Sequence, residues 1–381
     1  MKSKRALYIG LMSGTSMNAV DAVLVSFDQY TPMILETHSC DIPVSLKKIV
    51  TQLSESSVCD IRTFGETDTQ LGMLFAETCI KLLKKTVFHA NEIIAIGSHG
   101  QTIYHQPNHT HPFTLQIGDP NIIAAQTGIT TVADFRRRDV ALGGQGAPLV
   151  PAFHDYLFHD RTTDQFVVNI GGIANITHLS KNKSIIGFDT GPGNTLLDLW
   201  CEKNCNTVFD KNGEWARSGK LNHDLLKIFL ADPYFEKKFP KSTGREYFNL
   251  NWLTEKIASL SCEASSSRDS IAGSIDPQNI QSTLTELTAK TIADAVTQLA
   301  THTHTIHLCG GGAYNNFLIE RLRFHCKSSD IQFTTKIGIH PEWMEAAAFA
   351  WLAKQTLEKK PGNCPSVTGA QKESVLGAVY F

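Results

Sequence analysis

Ala6-Leu-Tyr-Ile-Gly-Leu-Met-Ser-Gly-Thr-Ser-Met-Asn-Ala-Val-Asp-Ala-Val-Leu24 is the stretch whose reading decides the fold. An apolar run, Ala6–Gly10, leads into a turn of small hydroxyl residues, Ser13-Gly-Thr-Ser16. Val20, Ala22 and Leu24 then alternate with Asp21 and Val23. Two alternating runs joined by a glycine-containing turn predict a β-hairpin. Such a turn offers unobstructed backbone N–H groups and hydroxyls, the chemistry that a phosphate needs. The same composition also serves simply to join two strands. It is not a Walker loop, because no Gly-Lys-Ser/Thr closes it, and its glycines are wrongly spaced for a dinucleotide fingerprint.

A second hairpin of the same kind directs the reading toward phosphate. Gln165-Phe-Val-Val-Asn-Ile-Gly-Gly-Ile-Ala-Asn-Ile-Thr-His178 is a strand, a Gly171-Gly172 turn and a returning strand through Asn175. Ile185–Asp189 follows as a strand, running into Thr190-Gly-Pro-Gly-Asn194 and a helix over 195–201, for which Asn194 is the expected N-cap. Two related halves facing one nucleotide would look like this. A third glycine feature, Gly310-Gly-Gly312, ends the strand Ile306–Cys309. Without Cβ atoms a flat ring can lie against that backbone, although a tight strand-to-helix turn would also accept the glycines.

Between the hairpins, the sequence predicts a strand over 33–38 and a helix over 43–53. An amphipathic helix over 68–85 carries Leu71, Leu74, Phe75, Cys79, Leu82 and Leu83 on one face. A buried strand over 93–97, an apolar helix or turn, and a strand over 130–134 follow. This order gives an α/β fold with mixed sheets. The glycine-rich 141–148 segment breaks periodicity and sets the expected boundary between an N-terminal domain, 1–140, and a C-terminal domain, 141–381, whose tail can return to the first. A helix over 282–299 precedes the third glycine feature.

The chain has 381 residues, enough for two domains, with 42% hydrophobic and 19% charged residues. A net charge of −2 gives no electrostatic reason to expect nucleic acid or an anionic membrane as partner. No apolar segment approaches membrane-spanning length. Nine cysteines without zinc spacing read as reduced cytosolic thiols. His302, His304 and His307 alternate and could line one strand, but are expected on a solvated loop or a strand edge.

The motifs together resemble the acetate and sugar kinase, heat-shock ATPase and actin superfamily. Within it they are similar to the anhydro-N-acetylmuramic acid kinase family over nearly the whole chain. The resembling stretches are Gly10–Leu24, Ile96–Thr102, Ala133–Val140 with Gly143–Leu149, Asn169–Gly172, Gly187–Asn194, Pro240–Glu246, Cys309–Ala313 and Met344–Trp351. The resemblance implies a two-domain actin-like ATPase (ribonuclease H-like) fold with an interdomain cleft. It also implies a cytoplasmic, homodimeric enzyme of cell-wall recycling, which opens 1,6-anhydro-N-acetylmuramic acid with ATP, Mg²⁺ and water to give N-acetylmuramic acid 6-phosphate.

Residue roles follow from the chemistry and the resemblance together. Asp189, at a strand end followed by Gly191 and Gly193, is the expected base for the attacking water. Phosphates are expected on Gly14, Thr15, Ser16, Met17, Asn18, Ala19, Val20 and Asp21 of the first hairpin, and on Gly171, Gly172 and Asn175 of the second. Adenosine is expected against Gly310, Gly311 and Gly312. The sugar carries a lactyl carboxylate, so one of Arg136, Arg137 and Arg138 should face it; Arg138 is the expected one, with the others paired to Asp134 and Asp139. Glu345 and His99 are further sugar candidates. The Mg²⁺ ligands are not legible, and Pro240–Glu246 has no evident role beyond a closing or packing loop.

The family usually has Asp-Gly where this chain has Asn18-Ala19. Asn18 removes a carboxylate, and Ala19 would add about 1 kcal/mol of strain if that position needs a positive φ. This motivates an alternative, a weakly active or non-catalytic nucleotide- or sugar-binding relative. An ATPase or phosphatase with no sugar acceptor is a third reading.

Overall fold

The computed structural model describes residues 5–14, 17–28, 31–56, 58–264, 275–300 and 303–381, with the backbone alone at 261–264. The chain begins with β1 (Leu7–Met12), β2 (Ala19–Ser26) and β3 (Met33–Asp41), followed by α1 (Val44–Glu55) and α2 (Ile61–Lys84). Then come β4 (Ile93–Ser98), β5 (Gln101–Gln106), β6 (Phe113–Ile117), α3 (Pro120–Thr127), β7 (Thr131–Ala133), α4 (Arg137–Ala141) and α5 (Val150–Leu157). The next segment holds β8 (Asp164–Ile170), β9 (Ile173–Leu179), β10 (Ile185–Pro192), α6 (Asn194–Cys205), α7 (Glu214–Ser218), α8 (His223–Leu230), α9 (Pro233–Glu236), α10 (Leu250–Ala264) and α11 (Pro277–Leu299). β11 (His304–Cys309), α12 (Asn316–His325), β12 (Asp330–Phe333), α13 (Met344–Leu357) and β13 (Ala378–Tyr380) complete the order.

Two compact units result. One joins the chain up to His159 with Thr335–Phe381, and the other is Asp160–Thr334. The sequence puts the break at 140/141, before the glycine-rich stretch. That stretch is instead fastened within the first unit. The buried Asp139 carboxylate takes Gly146 N–H at 2.8 Å, Asn363 Nδ2 at 2.8 Å and Thr368 Oγ1 at 2.9 Å.

The first unit holds a six-stranded mixed sheet in the order β13-β7-β4-β1-β2-β3. β1 is buried at every position, pairing antiparallel with β2 and parallel with β4. One face is packed by α2 through Leu71, Phe75 and Cys79, in one core with Leu7, Ile9 and Leu11. α13 crosses β1 and β4. It lies so close that a Cβ on Gly10 would strike the Ala346 carbonyl, and one on Gly97 the Phe349 carbonyl. Gly10 is therefore dictated by a helix more than 330 positions away in the chain.

α2 starts at Ile61, earlier than periodicity suggests, because Asp60 caps it by accepting Thr63 N–H at 3.0 Å. Residues 61–66 are largely exposed and leave no apolar stripe to read. β5 and β6 form a separate antiparallel hairpin that the sequence reading does not anticipate.

The second unit holds a five-stranded sheet in the order β10-β9-β8-β11-β12, antiparallel at β8–β9–β10 and parallel at β8–β11–β12. α11 and α12 pack on it through Ile292, Val296, Leu318 and Leu322 against Phe166, Val168 and Ile306. A second cluster, around Trp200, Phe229, Tyr234, Phe248 and Trp252, welds α6, α8, α9 and α10 together. His304 and His307 contradict the expectation of a solvated loop or edge. They lie on β11, an interior strand, and are buried, with Nε2 atoms 2.7 Å from Ser329 Oγ and 2.8 Å from Gln165 Oε1. His302 lies outside the described residues. Among the described residues, no helix is long and apolar enough to cross a membrane.

Candidate active site

The first hairpin forms as its alternation predicts, with Met12 opposite Asp21 and Gly10 opposite Val23. Thr15 and Ser16 lie outside the described residues; Gly14 and Met17 flank them. Among the described residues of this turn, Met17 is left-handed, at φ 50°. Ala19 is not left-handed: it opens β2 opposite Asp41, so the strain expected there is absent. Asn18 is exposed and anchors the turn to α1, its Oδ1 accepting Lys47 Nζ at 2.7 Å. Val20 is buried. Asp21 is half-buried and accepts Ser39 Oγ at 2.8 Å; burial raises its pKa, Ser39 opposes this and Glu342 adds to it.

At the ends of β1 and β4 the first unit gathers polar side chains. Ser13 Oγ donates to Gln101 Oε1 at 2.6 Å, both residues being buried. His99 is buried against the Phe349 ring, with centroids 4.7 Å apart. Its Nε2 accepts Arg136 Nε at 3.1 Å and lies 2.9 Å from Nη2, while Arg136 Nη1 donates to Gly146 O at 2.8 Å. Burial and the neighbouring guanidinium hold the His99 pKa well below the usual imidazole range, so the ring stays neutral and Nε2 can accept. Burial lowers Arg136 to about 10, opposed by Glu345 and Asp139. Glu345, in the first turn of α13, is raised by burial, eased by Arg136 and raised further by Asp21.

Arg136 is thus the arginine collected with His99 and Glu345. Arg137 pairs with Asp134 at 3.2 Å, as expected of a structural arginine. Arg138, the arginine favoured from the sequence, is exposed on α4. Gln101, which accepts the Ser13 hydroxyl, opens β5 three residues after the apolar strand β4, and the sequence reading gives it no role.

In the second unit, Asn169, Asn175 and Asp189 occupy one rung across β8, β9 and β10. The register shifts between Asp189 and Gly191, a bulge that re-aims the strand end. Asp189 Oδ2 accepts Thr243 N–H at 3.0 Å, and the Asp189 N–H donates to Lys241 O at 3.1 Å. Tyr234 O–H donates to the Asp189 carbonyl at 2.6 Å. Burial pushes this carboxyl up to about 7; the Thr243 N–H opposes that, and Glu246 adds to it. A half-buried carboxyl poised near neutrality is suited to general-base work.

The Gly171-Gly172 turn caps α6 with its backbone. Gly171 O accepts Asn194 N–H at 2.8 Å, and Gly172 O accepts those of Gly193 and Thr195 at 2.9 and 3.0 Å. Asn194 is therefore not the N-cap. Gly193 holds that position, and Asn194 Nδ2 reaches back to Ile170 O at 3.1 Å. The three later glycines divide by role. A Cβ on Gly310 would strike Asn169 Oδ1, and one on Gly312 would strike Ile170 Cγ2. Gly310 also sits at φ 79°, whereas only Gly311 faces open space, with Asn194 Nδ2 at 3.9 Å. Two of the three glycines thus serve packing, and the third faces open space.

The model of a family described as anhydro-N-acetylmuramic acid kinase matches residues 6–381. The anhydro-N-acetylmuramic acid kinase of Coxiella burnetii (strain Dugway 5J108-111) is 54% identical over 376 residues, covering 98% of this chain and 97% of that protein. That of Pasteurella multocida (strain Pm70) is 46% identical over 381 residues, covering 100% and 98%. A solved activator of the 2-hydroxyisocaproyl-CoA dehydratase from Clostridium difficile, with bound ADPNP, aligns over 92% of this chain and 97% of its own at TM-score 0.45 and 12% identity.

Proposed function

The chain belongs to the anhydro-N-acetylmuramic acid kinase family, and from that membership we propose how its residues turn 1,6-anhydro-N-acetylmuramic acid, ATP and water into N-acetylmuramic acid 6-phosphate and ADP. Asp189 takes a proton from water as the water oxygen bonds to the anomeric carbon. The bond from that carbon to the 6-oxygen breaks, and the freed oxygen attacks the γ-phosphorus. The bond from the γ-phosphorus to the β–γ bridging oxygen breaks, and ADP leaves. The observation that carries this reading is the Asp189 carboxyl, raised to about 7 and held by the Thr243 N–H on a rung with Asn175. An ordinary kinase needs a base for a hydroxyl already present; this reaction needs one for water.

The phosphates are assigned to Gly14, Met17 and the rest of the first turn, and to Gly171, Gly172 and Asn175. The base of ATP is assigned to the backbone at Gly311. The sugar's acid group is assigned to Arg136, whose guanidinium is fixed by His99 and Gly146; Arg138 is the other arginine of that segment able to serve it. Glu345 is assigned to the sugar hydroxyls. Mg²⁺ arrives with the nucleotide and needs only one or two protein carboxylates. Asp21, a half-buried carboxylate of the first hairpin, has the hard oxygen chemistry to hold it, and the ion would neutralise charge on the β- and γ-phosphates. A cytoplasmic site and a homodimer complete the reading. The non-catalytic alternative loses its backbone argument, because Ala19 carries no positive φ.

The test is incubation with ATP, Mg²⁺ and the anhydrosugar in ¹⁸O water. One labelled oxygen is expected in the phosphosugar, and none with Asp189→Asn. Unlabelled phosphosugar would remove the role given to Asp189.

A further inference from the structure

The loop Pro240-Lys-Ser-Thr-Gly-Arg-Glu246 does more than close over Asp189. Its Lys241 and Thr243 backbones hold Asp189 from two sides, and two residues later it lays a guanidinium on the second glycine turn. Arg245 Nη2 and Nε stand 3.4 and 3.5 Å from the point that a Cβ on Gly172 would occupy. Thr195 Oγ1 stands 2.7 Å from the same point. Thr195 is 4% exposed, and its hydroxyl has no hydrogen-bond partner among the described residues. One helical turn along α6 is Asp198, raised to about 7 by burial, with Arg245 opposing and Asp210 adding to the rise. A cation and an orphaned hydroxyl therefore meet over a glycine turn whose own carbonyls are engaged in capping α6.

A guanidinium held only for structure needs neither a bare glycine beneath it nor an unsatisfied hydroxyl beside it. Leaving a buried hydroxyl unpaired is costly, and a ligand oxygen arriving there would remove that cost. Arginine presents a planar fork that matches two phosphoryl oxygens, and charge in phosphoryl transfer gathers on the oxygens of the group in flight.

Resting on the reaction proposed above, we propose that Arg245 is a catalytic residue that binds the γ-phosphoryl oxygens of ATP over Gly171-Gly172, with Thr195 donating beside it. One loop then carries both the clamp on the water's base and the cation for the phosphoryl group. Productive alignment of either brings the other.

The experiment uses the whole protein with Arg245→Ala, Arg245→Lys and Thr195→Val, measured for steady-state kinetics and for binding of AMPPNP and ADP. With Arg245→Ala, kcat should fall about 10²- to 10³-fold, the usual effect of removing one transition-state donor. AMPPNP affinity should fall at least about tenfold while ADP affinity holds, since a charged bond to the terminal group is worth about 1.5–3 kcal/mol. Arg245→Lys should recover only part of the rate, because the fork is lost. Guanidinium ion added to Arg245→Ala should restore part of kcat. Thr195→Val keeps shape and should cost a smaller fraction of kcat, with the melting temperature equal to or above that of the unaltered protein, since the unpaired hydroxyl is removed. Equal losses of AMPPNP and ADP affinity, or wild-type kinetics in Arg245→Ala, would overturn the assignment. Should the unaltered protein make no phosphosugar at all, the reaction reading fails instead. The AMPPNP-over-ADP difference between the unaltered protein and Arg245→Ala would still decide the role of Arg245.

Discussion

Asp189 concentrates the consequences of single residues. Its carboxyl sits near 7 when folded, against an ordinary value of 3.8. Activity that depends on its ionised form should fall as pH drops through about 7, and kcat/KM should show that acid limb. Stability runs the other way. The folded state holds this proton more tightly than the unfolded chain, so ionising Asp189 destabilises the fold as pH rises from 3.8 toward 7. The melting temperature of Asp189→Asn relative to the unaltered protein should climb over that range and level above it, while product formation stays absent. A flat difference would contradict the raised carboxyl. Arg136 offers a second comparison. Arg136→Ala should raise KM for the anhydrosugar about tenfold or more, as loss of a charged bond does, whereas Arg138→Ala should leave KM within about twofold. The reverse result would return the acid-group role to Arg138. The role proposed for Asp189 is legible in the sequence because Asp-Thr-Gly-Pro-Gly sets a carboxylate at the end of an apolar strand beside glycines. The choice among three adjacent arginines is not, because His99, which selects Arg136, is 37 residues away.

Elements were legible where one face of a strand or helix carries the signal. Both hairpins, α6 and the later part of α2 are of this kind. The β5–β6 hairpin was not: His105 and Gln106 blur its alternation, and its pairing register shifts between Thr102 and Tyr104. His304 and His307 misled because histidine reads as solvated until its strand is known to lie between two others. The glycines divide in the same way. Their motifs stand out, but which of them touch a ligand depends on what packs behind. Gly10→Ala and Gly97→Ala should each lower stability by about 1–3 kcal/mol or more in urea unfolding, since each Cβ meets the backbone of α13. Gly311→Ala should leave stability nearly unchanged and weaken ATP binding instead. Equal stability losses at Gly311 and Gly10 would argue against open space at Gly311.

At the scale of the whole molecule, the sequence suggests two α/β halves but places their seam by local composition. The real seam follows long-range bonds to Asp139, for which composition gives no sign. Asn363 and Thr368, more than 220 positions later, supply two of its three hydrogen bonds. Asn363→Leu and Thr368→Val should each cost about 1–3 kcal/mol by leaving the buried carboxylate short of a donor. The double variant should depart from the sum, because both act on one oxygen. Simple additivity in equilibrium unfolding would disprove a shared clamp. The split first unit also bears on biosynthesis. At ordinary elongation rates of 5–20 residues per second, the ribosome needs about 11–44 s to pass from His159 to the last residue. Through that interval β1 and β4 wait without α13, and β7 waits without β13, while Asp160–Thr334 can already close. A nascent chain of this kind presents a bare sheet face to its surroundings before its own C-terminal segment arrives, which makes that interval the moment of greatest demand for chaperones.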